Sequence, residues 1–145
     1  MKKQQNGFTL IELIMVIVVL GILAAFALPK FANLGKDART ASIQGAAASI
    51  KSASAIAHSA YLAGGSTGSS VTLEGTAVAL ANGYPTLAGI ITAAQISSSD
   101  YTVDTTGPTT VQVSGATTPA SCQVSYVEAA SSSAAPTITV TVSGC

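Results

Sequence analysis

The chain opens on its strongest pattern. From Phe8 to Leu28 run 21 residues in which Glu12 is the only charge. Wound as a helix rising about 1.5 Å per residue, that stretch is roughly 30 Å long, the thickness of a bilayer's hydrocarbon core. Past Pro29 the pattern turns one-sided. Ile43, Ala47, Ile50, Ala57 and Tyr61 recur at multiples of three to four residues, while Lys36, Arg39 and Lys51 fall on other faces. Together the two patterns predict one long helix over about 8–62, some ~80 Å in length, ended by Gly64-Gly65-Ser66-Thr67-Gly68.

After that glycine loop the period shortens to two. Val71-Thr72-Leu73 and Ala77-Val78-Ala79-Leu80 flank Glu74-Gly75 and predict short strands or a hairpin, and Asn82-Gly83-Tyr84-Pro85 is turn chemistry. Thr86 is placed to cap a short helix carrying Leu87, Ile90, Ile91 and Ala94. Strands are expected at 101–103, 109–113, 122–127 and 137–142, the last alternating Thr with Ile or Val as a sheet with one buried face requires. The expected fold class is therefore α+β, a long N-terminal helix packed on a small antiparallel β-sheet head. Its parts are a leader (1–7), a membrane or assembly helix (8–29), an amphipathic half-helix (30–63) and a β-rich head (64–145).

Two residues interrupt the helical pattern. Pro29 cannot donate to the carbonyl of Ala25, which costs about 3 kcal/mol in a helix interior, and Gly21 adds roughly 1 kcal/mol relative to Ala. Lys2 and Lys3 precede the apolar stretch and favour insertion with the N-terminus inside and everything past Pro29 outside. Glu12 is the anomaly, because an acid deep in a membrane helix costs on the order of 2.5–3.5 kcal/mol and is usually functional and paired.

Composition removes several function classes. Formal net charge is zero, without the basic excess of a nucleic-acid binder. Charge is instead segregated: every Lys and Arg lies at or before Lys51, while Glu74, Asp100, Asp104 and Glu128 follow it. His58 is the only histidine, and a lone His without a placed nucleophile and orienting acid is a helix-surface residue. No phosphate loop, dinucleotide fingerprint or metal-ligand spacing occurs, so no cofactor, metal or enzyme activity is expected. The two cysteines, Cys122 and Cys145, lie in the exported part, where an even count reads as a disulfide. A turn centred in Ser131-Ser132-Ser133-Ala134 sets Cys122 opposite about Ser143, near Cys145.

The run Gly7-Phe8-Thr9-Leu10-Ile11-Glu12 after a Lys-bearing leader resembles the processing site of type IV prepilins. Leu28-Pro29-Lys30-Phe31-Ala32-Asn33-Leu34-Gly35 and Ala38-Arg39-Thr40-Ala41-Ser42-Ile43-Gln44-Gly45 resemble the major pilins of mannose-sensitive haemagglutinin (MSHA) type, a likeness that continues weakly through Asn82-Gly83-Tyr84-Pro85. The resemblance implies a type IV pilin fold and cleavage between Gly7 and Phe8 by a membrane prepilin peptidase, which also methylates the Phe8 amine. It implies recruitment through an inner-membrane assembly platform, with Glu12 of one subunit pairing with the Phe8 amine of another. It makes residues 21–29 an extensible joint in a helical homopolymer. The implied path runs from the inner membrane, head in the periplasm, to an extracellular filament. The implied roles are adhesion, biofilm formation and motility, with minor pilins and surface carbohydrate as further partners.

Three other readings stay open at this level. A type II secretion pseudopilin shares the fold. A secretory signal peptide would be cut at Ala25-Phe26-Ala27. A single-pass membrane-anchored binding domain would gain nothing from Gly7-Phe8 or Glu12. Electron transfer along Phe8, Phe26, Phe31 and Tyr61 is disfavoured, since apolar packing accounts for the phenylalanines.

Overall fold

The structure, a computed structural model, describes residues 7–145, apart from the side chain of Ala32. The expected leader, Gly7 excepted, lies outside the described residues. The chain divides into two units, one ending at Gly35 and one spanning Lys36–Cys145. Helix α1, Leu10–Ala63, contributes to both.

In the first unit α1 is apolar on all sides, and none of its most apolar window is buried by the chain's own packing. It is long and apolar enough to cross a membrane. Gly21 and Pro29 were expected to interrupt it, yet the helix runs through both. A proline deletes a single donor, and the turns on either side keep their own bonds, so one missing bond does not end the element.

The second unit is built on the remaining turns of α1. Ile43, Ala46, Ala47, Ile50, Ala53 and Ala57 are buried on it, a wider stripe than the one expected because the small Ala46 and Ala53 let the sheet approach. After α1 come β1 (Ser70–Leu73), β2 (Thr76–Ala81), β3 (Tyr84–Pro85), α2 (Leu87–Ala93), β4 (Tyr101–Asp104), β5 (Thr109–Val113), a 3-10 turn (Pro119–Ser121), β6 (Gln123–Val127) and β7 (Thr137–Thr141). They form two antiparallel meanders, β1-β2-β3 and β4-β5-β6-β7. Asn82-Gly83 is the turn, as expected, but Tyr84-Pro85 belongs to a short strand paired with Leu80 and Ala81. α2 starts where Thr86 Oγ1 accepts from the Gly89 amide at 3.0 Å, the expected cap, and the Glu128 carboxylate accepts from Leu87 N.

Alternation in the larger meander explains the core. Val103, Val111, Val124 and Val140 lie in register across the four strands, and Thr109, Tyr126 and Ile138 form the next row. From these rows Val103, Val111, Val124, Tyr126 and Ile138 meet Ile50 and its neighbours on α1 together with Ile90 on α2, while Val140 on the edge strand stays exposed. Tyr126 is fully buried and donates its hydroxyl to the Pro85 carbonyl at 2.7 Å. Burial pushes its phenol up to about 12.

Close approach makes glycine necessary at position 89. A Cβ there would stand 2.4 Å from the carbonyl oxygen of Ala79 and 3.0 Å from Thr86 Oγ1. α2 therefore lies directly on β2, with no room for a side chain at that point.

Candidate functional site: the apolar N-terminus and the C-terminal clasp

The residues ahead of α1 are exposed and non-helical from Gly7 to Thr9. A Cβ at Gly7 would touch nothing, and Phe8 is 92% exposed. Among the described residues nothing packs against a side chain at position 7, and the Phe8 ring projects free. The helix begins at Leu10 rather than residue 8 for a local reason. Thr9 Oγ1 accepts from the Glu12 amide at 3.3 Å, while the Glu12 carboxylate accepts from the Thr9 amide at 2.8 Å and the Thr9 hydroxyl at 2.7 Å. This is a reciprocal capping box, Thr-x-x-Glu, and it satisfies two of the donors that a helix start leaves free. The signal was in the sequence, although Glu12 reads first as an unpaired acid. Its carboxylate already has local donors before any second subunit is considered.

At the other end of the chain Cys122 and Cys145 form a disulfide, with Cα atoms 4.8 Å apart. β6 and β7 pair with Gln123 opposite Thr141, so Cys122 falls beside Val142, one residue away from the expected Ser143. Cys145 reaches it because the chain turns after β7: its amide donates to Val142 O, and the Gly144 amide donates to Ser121 O at 2.9 Å. Gly144 is packed so tightly that a Cβ would meet Thr118 O at 2.6 Å. Both cysteines are buried against Ile43 of α1. The Arg39 Nε then donates to the Cys145 backbone oxygen at 2.6 Å, a charge-assisted bond that ties the end of the loop to the helix. Sequence reasoning missed Arg39, since nothing local to it signals a partner 106 residues away.

His58 is positioned by packing. Its Nδ1 lies 2.9 Å from the Gly83 carbonyl, so that nitrogen carries the proton, and its ring stacks on Tyr84 at 4.0 Å. Neighbouring Tyr61 donates its hydroxyl to Ser66 O, so the three do not form a nucleophile, base and acid. Among the described residues no group of three or more His, Cys, Asp or Glu side chains is placed to hold a metal.

Comparison with known proteins bears on the first of these sites. Residues 2–28 match the family model for the prokaryotic N-terminal methylation motif. The chain carries that motif at its N-terminus. The type IV narrow pilus major component PilA5 of Thermus thermophilus is 53% identical over 52 residues, 36% of this chain and 45% of that protein. The type IV major alpha-pilin of Moraxella bovis is 47% identical over 49 residues, 34% of this chain and 31% of its own length. A type IV major fimbrial protein FimA of Dichelobacter nodosus is 58% identical over 33 residues, 23% and 21% of the two chains. The chain spans less than half the length of the curated relatives it matches. No solved structure matches it. The long helix packed on antiparallel sheets is an α+β arrangement, as the sequence pattern predicts.

Proposed function

We propose that this chain is the major structural subunit of a type IV pilus of MSHA type, which polymerises into surface filaments that serve adhesion and biofilm formation. The observation that carries the reading is the N-terminal methylation motif in its setting: an exposed Gly7-Phe8 peptide, an apolar helix whose most apolar window is unburied among the described residues, and one acid, Glu12, in its first turn. The MSHA assignment draws on the sequence around Leu28–Gly35 and Ala38–Gly45.

On this reading a prepilin peptidase cuts after Gly7 and methylates the Phe8 amine. The new ammonium would stand just ahead of α1 and Glu12 in its first turn, so each subunit carries an amine and a carboxylate at the same end of the helix. In an apolar surrounding Glu12 gains most by pairing with a second charge. An incoming subunit's Phe8 amine supplies it, in competition with the Thr9 cap. The segment 21–29, helical here, then gives up helix as the subunit leaves the membrane for the filament, since it already lacks the Pro29 bond and carries Gly21.

The test is a cell making only the Glu12→Val chain. Processing should stay intact while surface fibres fall to a small fraction of wild type. Normal piliation would overturn the assembly mechanism, and fibres confined to the periplasm would favour the secretion pseudopilin.

A further inference from the structure

A groove of about 500 Å³ opens on the head between α1, the β1–β2 hairpin and the end of α2. Its walls include Ile56, which is 58% exposed, together with Leu73 and Ala93. At its mouth the Gln95 amide donates to the Glu74 carboxylate at 2.9 Å. Both residues occupy backbone positions that disfavour them. Glu74 has φ 47° and Gly75 φ 81° in the two-residue turn joining β1 to β2, a mirror-image turn that prefers Asn, Asp or Gly at both places. Gln95 has φ 52° just past α2, where its amide donates to Thr92 O and that of Ile96 to Ile91 O. That is the helix-ending motif in which Gly is usual. Two sites reserved by local geometry for small residues thus carry a carboxylate and an amide that meet over one groove. Strain of this kind persists where a function holds it.

The charge distribution identifies the occupant. The described cations all lie on α1: Lys30, Lys36, Arg39 and Lys51. Arg39 is engaged by Cys145, Glu128 by the start of α2, and Asp104 by the amide and hydroxyl of Thr106. Glu74 has the neutral amide of Gln95 as its partner and stands beside an apolar wall. On α1, Lys30, Phe31 and Leu34 share one helix face by their spacing, with Phe31 69% and Leu34 62% exposed. A cation beside two apolar side chains is the complement of a carboxylate beside Ile56 and Leu73. We propose that this groove receives the Lys30–Phe31–Leu34 face of a second copy of the chain, with Lys30 meeting Glu74 and Phe31 covering Ile56. The inference rests on the filament reading and assigns one of its contacts.

The experiment uses the full chain in a piliated host and reads sheared fibre yield. Lys30→Glu and Glu74→Lys should each lower the yield about tenfold, and the double variant should bring it back to within about twofold of wild type. Glu74→Asn, a residue that its turn favours, should lower the yield while raising the melting temperature of the purified chain. That combination separates a contact from a folding defect. Wild-type yield in the single variants, or no recovery in the double, would overturn this contact and leave the filament reading standing. Recovery with Lys36→Glu in place of Lys30→Glu would overturn the face named here. Absence of fibres from the wild-type chain would overturn both.

Discussion

Breaking the Cys122–Cys145 bond should loosen the head by an amount that its loop length sets. The two residues are 23 apart in sequence, so the bond closes a 24-residue loop, and the chain-entropy account gives about 3 kcal/mol for a loop of that size. Removing the sulfurs also empties space against Ile43, where both cysteines are buried, which adds about 1 kcal/mol. The loop ends retain the Gly144–Ser121 and Thr118–Gly144 backbone bonds and the Arg39 contact, so the sheet should remain formed. In a unit of this size 1 kcal/mol corresponds to about 4 °C. The Cys122→Ala/Cys145→Ala chain should therefore melt about 12–16 °C below wild type, followed by circular dichroism of the full chain in detergent. Reductant should lower the wild-type midpoint by a similar amount and leave the variant unchanged. A drop of less than about 4 °C would refute the reasoning, because the backbone clasp would then be closing the loop by itself.

Other substitutions test single contacts. Gly89→Ala should destabilise the head by about 1–3 kcal/mol in urea unfolding, because its Cβ would press on the Ala79 carbonyl. Tyr126 is held up at about 12 from its usual 10 by burial, so its neutral form is favoured in the folded chain. Head stability from this group is complete below pH 10 and falls by about 2 kcal/mol as pH rises from 10 to 12; Tyr126→Phe should remove that part of the slope. Thr9→Ala removes the hydroxyl shared with Glu12 and should weaken the first turn of α1 by about 1 kcal/mol, seen as faster amide exchange at Leu13, while fibres persist. Equal loss of fibres in Thr9→Ala and Glu12→Val would mean that the cap, not the subunit pairing, is what assembly needs.

How much could be read in advance followed the range of the interaction. Helix α1, its apolar first unit and the buried stripe through Ile43, Ile50 and Ala57 are local periodicities, and they appear in the structure close to where the pattern put them. The strands of the larger meander were legible from alternation alone, and so was the partnership of Cys122 with Cys145. The register of β6 on β7 came out one residue off, because the nine residues from Glu128 to Pro136 carry no turn signal that fixes its centre. Arg39 with Cys145 and Glu128 with Leu87 are contacts between distant segments, which no periodicity encodes. Glu74 with Gln95 was hidden for another reason: each sits at a turn position where its residue type is the wrong signal. The Thr9–Glu12 box was visible as Thr-x-x-Glu, but the same carboxylate also fits an apolar helix seeking a partner, and the second pattern masked the first.

The central claim is that the apolar N-terminus is exposed by processing and built into a fibre. It is tested most directly by shearing surface fibres from cells that make this chain and determining the first residue of their subunit by mass spectrometry. The account predicts an intact chain beginning at an N-methylated Phe8 as the bulk of the fibre. A chain beginning at Met1 or Leu28, found only in the membrane or as a monomer, would contradict it.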